Sequence, residues 1–362
     1  MLVEGAVLDI DGPRAAYVRF HDGRIVEVGA PGTASARGRE RRIRGIVVPA
    51  PVNGHTHLGD AVSVREPPNG PVAELVAPPR GYKFQLLAGA SDAAKVAAIR
   101  TALWRMVREG VGATLDFREE GARGVELFHA ALRRVPIRGF VFGRPTRRPI
   151  DPEELAHVVE VADGIGLSSA RDEDRTTRQL VARACRLAGK RYALHASEAV
   201  REPPESYLDP TPDLLVHLAK ATGDDLAAVH EEGVAVALCP RSNALFGRQP
   251  DLRAMERLGL RVLLGTDNAM FHPPSIWSEL QFAYTSSRLL DRPASAAFLA
   301  RAALVEPWVW LGEPDAARVA PGTPIRPLIV RLPPDDPAYQ VVTRTTEQVI
   351  VRPGPRPRRP PR

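Results

Sequence analysis

The strongest signal for the fold lies in residues 46–57, which read Ile46-Val47-Val48-Pro49-Ala50-Pro51-Val52-Asn53-Gly54-His55-Thr56-His57. It combines an apolar, strand-like run with two histidines at positions i and i+2. On an extended segment such residues project to the same side, so both imidazoles can reach one ion. The stretch therefore predicts a metal-binding pair of histidines next to a strand.

Three further polar residues each stand at or just beyond the end of another apolar, strand-like run. His195 follows residues 191–194, His217 follows residues 214–216, and Asp267 follows residues 262–266. Polar side chains at the carboxyl ends of several separate strands are typical of the catalytic mouth of a (β/α)8 barrel. The sequence therefore predicts that these residues meet the histidine pair in one site.

Strand-like and helical segments alternate along most of the chain. Helical spacing is clearest in Ser91–Glu109 and Arg175–Ala188, each of which ends near a glycine. This alternation is typical of β/α units around a parallel sheet. The predicted fold class is α/β, a (β/α)8 TIM-type barrel with strands at about 46–50, 112–117, 137–142, 163–168, 191–195, 213–217, 234–239 and 262–267.

The two ends of the chain are predicted to form a small β-domain. Short strands separated by turns fill residues 1–47, and the runs 340–343 and 348–351 are expected to return to the same sheet. The last residues are rich in proline, which fixes φ and removes hydrogen-bond donors. The predicted domains are therefore a β-domain of residues 1–47 and 320–351, a barrel of residues 48–319, and a disordered Arg/Pro tail of residues 352–362.

The composition is that of an ordinary soluble globular protein. Of the 362 residues, 44% are hydrophobic and 25% are charged. No apolar run has the length of a membrane span, and acidic residues near the start argue against a secretory signal. Cys185 and Cys239 are too few for a disulfide framework. We therefore expect a cytoplasmic protein with no membrane partner.

The basic charge is concentrated at the C-terminal end. Five arginines within the last eleven residues account for most of the formal net charge of +6. A short basic tail can touch RNA or an anionic surface. The rest of the chain has no basic stripe interleaved with aromatic residues. The sequence therefore does not favour nucleic acid as a partner.

Five motifs occur in a fixed order along the chain: His55-x-His57, His195-x-x-Glu198, His217, Pro240-Arg241-Ser242-Asn243 and Gly265-Thr266-Asp267. In this order and spacing they resemble the amidohydrolase superfamily. The sequence looks closest to the branch that holds cytosine deaminase, guanine deaminase and the chlorohydrolases. Any single His-x-His is common, whereas the ordered set is specific. The resemblance extends from the N-terminus to about residue 350.

One divalent metal ion, Zn(II) or Fe(II), is the expected cofactor. The predicted ligands are His55, His57, His195 and Asp267, which leave a position for water. Affinity order alone does not separate the two metals. The fourth strand, at residues 164–168, contains no lysine, so the carbamylated lysine that bridges two metals in other branches is not expected. The alternatives are a hydrogen-bonded core residue for each histidine and a helix N-cap for Asp267.

Glu198, His217 and Asp267 are the predicted catalytic residues. The metal would lower the pKa of its bound water and so supply hydroxide near neutral pH. The resemblance implies that Glu198 carries protons and that His217 hydrogen-bonds the hydroxide or the developing oxyanion. The alternative for Glu198 is a solvated loop acid.

Six residues that follow barrel strands are expected around the substrate. Arginine in such a place suits a carboxylate, a phosphate or a polar ring edge, and the alternative for each is a salt bridge within the loops. Lys83 in the first loop could also reach the substrate. The six are Arg118 and Glu119 after strand two, Arg144 after strand three, Arg241 and Asn243 after strand seven, and His272 after strand eight.

Together these residues predict a hydrolase that acts on carbon–nitrogen bonds other than peptide bonds. The resemblance implies that metal-bound hydroxide attacks an amino-substituted nitrogen heterocycle, so a small heterocycle is the expected partner. A cyclic amide hydrolase or a chlorohydrolase on a related ring is the alternative, and a non-catalytic barrel scaffold is a weaker one. The sequence does not assign the identity of the ring. It is compatible with a homodimer but does not fix the oligomeric state.

Overall fold

The chain begins with strands of a six-stranded sheet. The protein is described here by a computed structural model that covers residues 1–35, 37–38, 40–63 and 65–352. β1 pairs antiparallel with β2 and parallel with β4, and β2 pairs antiparallel with β3. The four strands are β1 (Leu2–Asp9), β2 (Gly12–His21), β3 (Arg24–Gly29) and β4 (Arg42–Val48).

A closed parallel sheet follows and confirms the predicted (β/α)8 barrel. Its eighth strand is interrupted at Gly265 and Thr266, so the first half pairs with strand seven and the second half with strand one. The Thr266 backbone N–H donates to the His55 carbonyl at 3.0 Å, which closes the ring. The strands are β5 (Val52–His57), β6 (Ala113–Arg118), β7 (Arg138–Gly143), β8 (Gly164–Leu167), β9 (Arg191–Ala196), β10 (Leu214–His217), β11 (Ala235–Leu238), β12 (Val262–Leu264) and β13 (Asp267–Asn268).

Two glycines let strands one and eight approach each other closely. A Cβ atom at Gly265 would lie 2.6 Å from the backbone nitrogen of His55, and one at Gly54 would lie 2.8 Å from Cβ of Leu263. Contacts this short do not fit a close-packed interior, so a larger residue would push the strands apart. The distance between His55 and Asp267 across this junction therefore depends on glycine at both positions.

Helices connect the strands and cover the outside of the barrel. The predicted helices near residues 91–109 and 175–188 are confirmed: the Ser91 side chain caps α3, and Gly110, with φ of 87°, follows its end. No helix in the described part of the chain is long and apolar enough to cross a membrane. The helices are α1 (Val72–Leu75), α2 (Tyr82–Gly89), α3 (Asp92–Glu109), α4 (Gly121–Leu132), α5 (Pro152–Val161), α6 (Arg175–Leu187), α7 (Pro204–Tyr207), α8 (Gly223–Glu231), α9 (Pro240–Leu245), α10 (Leu252–Leu258), α11 (Ile276–Leu289), α12 (Ala296–Leu304), α13 (Glu306–Trp310) and α14 (Pro337–Arg344).

Two strands from the C-terminal part of the chain join the six-stranded sheet. β14 (Leu328–Val330) pairs antiparallel with β4, and β15 (Ile350–Val351) pairs antiparallel with β14. Buried apolar side chains from both ends, including Val7, Val47 and Ile329, pack together in this sheet. The proposed domain boundaries stay a prediction, and residues 353–362 of the predicted tail lie outside the described residues.

Two of the predicted strands were placed wrongly. The run 46–50 belongs largely to β4 of the six-stranded sheet, and the first barrel strand is β5, because Pro49 and Pro51 lack the N–H groups that a continuous ladder needs. The run 340–343 lies in the helix α14. Asp336 caps that helix by accepting a hydrogen bond from the Tyr339 N–H, and Pro337 occupies its first turn.

Trp308 is expected to stabilise the base of the barrel. It is fully buried, and its indole N–H donates to the Ala50 carbonyl at 2.8 Å, just before β5. Trp308→Ala should lower the free energy of unfolding by about 3–5 kcal/mol, as measured by urea titration followed by circular dichroism. Leu187→Ala, at a side chain that is 79% exposed, is the control and should stay within about 0.5 kcal/mol of wild type. Equal losses in the two variants would contradict this assignment.

Candidate active site

The carboxyl ends of four barrel strands bring the predicted metal ligands and His217 together. The ligand atoms of His55, His57 and Asp267 lie within 4.8 Å of one another, and so do those of His55, His195 and His217. His55 Nε2 is 3.4 Å from Asp267 Oδ1, and His57 Nε2 is 3.6 Å from the same oxygen. Four histidines and a carboxylate therefore converge at the centre of the barrel mouth.

His55 is the most enclosed residue of this group. Its side chain is fully buried, and neither ring nitrogen makes a hydrogen bond of normal geometry to the described residues. A buried polar group without a partner carries a free-energy penalty of about 1–3 kcal/mol. A cation bound by the ring would remove that penalty, so this residue fits a metal site.

Neighbouring groups fix the orientation of two further ligand candidates. The His195 Nδ1–H donates to the Leu167 carbonyl at 2.7 Å, which leaves Nε2 as the free lone pair. The Ser242 hydroxyl donates to Asp267 Oδ2 at 2.5 Å, which leaves Oδ1 toward His55. Both contacts aim one ligand atom at the same place.

The protonation states of these residues suit a cation. Burial lowers the pKa of His55, and burial with the charge of Lys83 lowers that of His57 to about 3. Burial and the nearby His55 hold the pKa of His195 well below its usual range. Burial alone would raise the pKa of Asp267, but the adjacent histidines hold it far below its usual range. Neutral imidazoles and an ionised carboxylate are the forms that bind a divalent metal.

His217 differs from the other histidines in the hydrogen bond at its second nitrogen. The Asn243 amide nitrogen lies 3.2 Å from His217 Nδ1 and donates to it, so the neutral ring carries its proton on Nε2. Nε2 is 3.7 Å from a carboxylate oxygen of Glu198. In this tautomer His217 presents a hydrogen-bond donor to the cavity and no free lone pair for a metal.

Glu198 lies at the edge of the histidine cluster and lines the cavity. Its side chain is 19% exposed, and burial raises its pKa above the usual range. A carboxyl group with a raised pKa holds a proton more tightly than an ordinary carboxylate, which suits it to accept and return one. Its position beside His217 therefore allows proton transfer within the cavity.

Glu119 connects the histidine pair to a network of buried charges. Its Oε1 lies 3.0 Å from His57 Nδ1 and 2.6 Å from Lys83 Nζ, and its Oε2 accepts a hydrogen bond from Arg118 at 3.2 Å. Burial alone would raise the pKa of Glu119, but the charge of Lys83 holds it well below its usual range. The carboxylate therefore favours the His57 tautomer that leaves Nε2 free.

Two members of this network carry no motif that would have revealed them in the sequence. Asp60 lies 3.3 Å from Lys83 Nζ, and Asp116 lies 2.7 Å from Arg118 Nε. Burial raises the pKa of Asp60 to about 7 and that of Asp116 to about 6. The one available signal is that Asp116 and Arg118 are two residues apart on one strand and so share a face.

A cavity of about 340 Å³ opens above the histidine cluster. Of the six predicted substrate residues, Arg144 alone lies in its wall within the described part of the chain. The first loop contributes Lys83 and an apolar segment around Val76 to this wall. Later loops contribute Phe246 and Phe271. The wall thus combines apolar side chains with a similar number of polar and charged ones, which suits a small polar molecule.

The other five predicted substrate residues are not among the described residues that line the cavity, and four of them contact protein groups. Arg118 binds Asp116, Glu119 faces His57, and Asn243 contacts His217. Arg241 donates to Glu279 at 2.5 Å and to two backbone carbonyls. His272 is half-buried, and burial lowers its pKa to about 4. Arg118 and Arg241 thus make salt bridges of the kind that the alternative described, and a substrate role for these five residues stays a prediction.

The fold and the convergent ligands define the class of metal-dependent hydrolases built on a (β/α)8 barrel. The sequence profile of the Amidohydrolase family matches residues 46–304, which run from the end of β4 to α12. The chain belongs to the amidohydrolase family and is a hydrolase acting on carbon–nitrogen bonds.

Two archaeal relatives carry the name "Putative aminohydrolase". The chain is 34% identical over 263 residues to the protein of Methanothermobacter thermautotrophicus, a match that covers 67% of this chain and 68% of the relative. It is 32% identical over 267 residues to the protein of Archaeoglobus fulgidus, and this match covers 73% and 75% of the two chains.

Solved structures share the fold at low sequence identity. A zinc-bound adenosine deaminase from Xanthomonas campestris has a TM-score of 0.75 at 18% identity, with 96% of this chain and 90% of that chain covered. Guanine deaminase from C. acetobutylicum has a TM-score of 0.72 at 12% identity, with 96% and 97% covered. A zinc-bound atrazine chlorohydrolase from Arthrobacter aurescens has a TM-score of 0.72 at 17% identity, with 94% and 90% covered. At these identities the likeness shows the fold alone.

Glu119→Gln is expected to weaken zinc binding about 10- to 100-fold, because a neutral amide no longer orients His57 as strongly. Competition with a chromogenic chelator measures the affinity. Glu120→Gln is the matched control, since Glu120 is one-third exposed and pairs with Lys95 away from the site. Wild-type zinc affinity in the Glu119 variant would contradict the positioning role.

Proposed function

We propose that this protein is a metal-dependent deaminase of an amino-substituted nitrogen heterocycle. The observation that carries the proposal is the placement of the Glu198 carboxyl and His217 Nε2, 3.7 Å apart, in one cavity beside the ligand cluster. A proton carrier and a hydrogen-bond donor next to an electrophilic centre are what this reaction needs. The names of the archaeal relatives and of two structural neighbours support the same reaction.

His55, His57, His195 and Asp267 are the proposed ligands of one divalent ion, Zn(II) or Fe(II). When bound, such an ion acts as a Lewis acid and lowers the pKa of a water molecule toward neutrality. The three imidazoles are neutral and the carboxylate is ionised, so the set carries one negative charge toward the cation. His217 lies outside this set because Asn243 directs its proton to Nε2.

Glu198 is the proposed proton carrier. Deamination consumes one water and releases ammonia, so protons must move from the water to the ring nitrogen and to the leaving amine. Glu198 would accept a proton from the attacking water and place it on the ring nitrogen. It would then take the remaining proton from the hydroxyl added to the ring carbon and transfer it to the amine, which leaves as ammonia. The His217 Nε2–H would donate a hydrogen bond to the oxygen that becomes the product carbonyl.

A chlorohydrolase is the second candidate, and the structural likeness to atrazine chlorohydrolase supports it. The same residues would then direct water to a ring carbon that loses chloride. The two reactions differ in the released product, which is ammonia in one and chloride in the other. A cyclic amide hydrolase would release neither, and purified protein that contains no metal would favour a scaffold that has lost catalysis.

Glu198→Gln is expected to lower the rate of ammonia release about 10²- to 10⁴-fold while the protein still binds zinc, because the amide cannot accept and return a proton. The assay uses zinc- or iron-loaded protein with purines, pyrimidines, pterins and triazines. Glu205→Gln, at an exposed acid on the neighbouring short helix, is the control and should leave the rate unchanged.

Each outcome of the assay selects one reaction. Ammonia released from one ring, and lost in the Glu198 variant, would establish deamination. Chloride release from a chlorinated triazine without ammonia release would favour the second candidate. Metal-loaded protein that releases neither product from any ring would overturn the deaminase proposal.

A further inference from the structure

Arg144 lies in the cavity wall with most of its hydrogen-bond donors uncommitted. Its side chain is only 8% exposed. Its guanidinium makes one hydrogen bond to the described residues, from Nε to the Gly166 carbonyl at 3.1 Å. A guanidinium carries five N–H donors. Most of these N–H donors are therefore available to a partner inside the cavity.

No carboxylate is dedicated to this buried cation within the described part of the chain. The nearest is Glu119, whose Oε1 lies 3.7 Å from Arg144 Nη1. That same oxygen lies 2.6 Å from Lys83 Nζ and 3.0 Å from His57 Nδ1. A buried charge is costly unless it is paired and hydrogen-bonded. The arrangement leaves Arg144 short of an anionic partner.

Ser168 places a second uncommitted donor in the same cavity. Its hydroxyl oxygen is buried and has no hydrogen-bond partner among the described residues, and Ser168 lines the cavity. It directly follows β8, the strand whose Gly166 carbonyl holds Arg144 Nε. The guanidinium and the hydroxyl are therefore both anchored at the end of one strand.

Two acids in this part of the wall do not take the place of a ligand. The carboxylate of Glu202 accepts hydrogen bonds from the Ser197 N–H at 2.6 Å and from the Ser169 hydroxyl at 3.3 Å. Asp172 is exposed at the edge of the cavity, next to Arg171, which is also exposed and lines the cavity. The buried part of the wall thus keeps the positive charge of Arg144.

We propose that Arg144 and Ser168 form a subsite for an anionic substituent on the heterocyclic substrate. A guanidinium fork and a hydroxyl donor that line the same cavity match the oxygens of a carboxylate or a phosphate. The cavity also contains the proposed catalytic groups, so the anion would orient the ring over them. This inference rests on the proposed function, which supplies the ring.

Binding of matched neutral and anionic rings to the zinc-loaded protein tests the subsite. The calorimetric probes are pterin against pterin-6-carboxylate, and guanosine against guanosine 5′-monophosphate, so the two pairs separate a carboxylate from a phosphate. The anionic member of at least one pair should bind about 10- to 100-fold more tightly, as expected for charge-assisted hydrogen bonds.

Arg144→Gln should abolish this preference while the affinity for the neutral member stays within about threefold of wild type. Ser168→Ala should reduce the preference by a smaller factor, and it tests the subsite even if the arginine variant does not fold. Arg147→Gln is the matched control, because Arg147 is 69% exposed in the same loop. Circular dichroism and zinc content establish that each variant is folded.

The subsite is overturned if both members of each pair bind equally, if no anionic probe binds, or if the variants keep the preference. Ammonia release from the same probes is measured separately. Tight binding of an anionic ring without ammonia release would leave the subsite in place and count against deamination. Ammonia release from neutral rings, with no preference for anionic rings, would support deamination and overturn the subsite.

Discussion

The backbone hydrogen bond from Thr266 N–H to the His55 carbonyl is the interaction on which the site depends. It joins strand eight to strand one, one residue before Asp267 and at the first histidine of the pair. Asn53 strengthens the junction, because its side-chain oxygen accepts from the Thr266 N–H at 3.0 Å and its amide nitrogen donates to the Thr266 hydroxyl at 2.8 Å. The contact that closes the barrel therefore also brings Asp267 to the histidine pair.

Loop side chains contact two strand-end residues whose backbone is strained. His217 and Asp267 have φ values of 77° and 59°, in the left-handed region that costs a residue other than glycine about 1–3 kcal/mol. Ser242 and Asn243, at the start of α9, bond to the side chains of these two residues. The motif after strand seven thus holds two site residues in place.

A network of buried charged side chains connects the first loop to the histidine pair. Lys83 in α2 lies against Asp60 and Glu119, and Glu119 in turn faces His57. Removing one partner from such a network leaves the others buried without a counter-charge, which is strongly destabilising. The loop that forms part of the cavity wall is therefore coupled to the geometry of the histidine pair.

The (β/α)8 class and the convergence of His55, His57, His195 and Asp267 were predictable from the sequence, because strand-end motifs and apolar runs are local signals. The folded structure was needed to show that the histidine pair lies within β5, that Glu119 faces His57, and that Arg241 faces Glu279. It was also needed to show that most donors of the Arg144 guanidinium stay unpaired in the cavity. Side-chain direction and pairing depend on contacts between strands far apart in the chain, and no local pattern encodes which carboxylate a buried cation will meet.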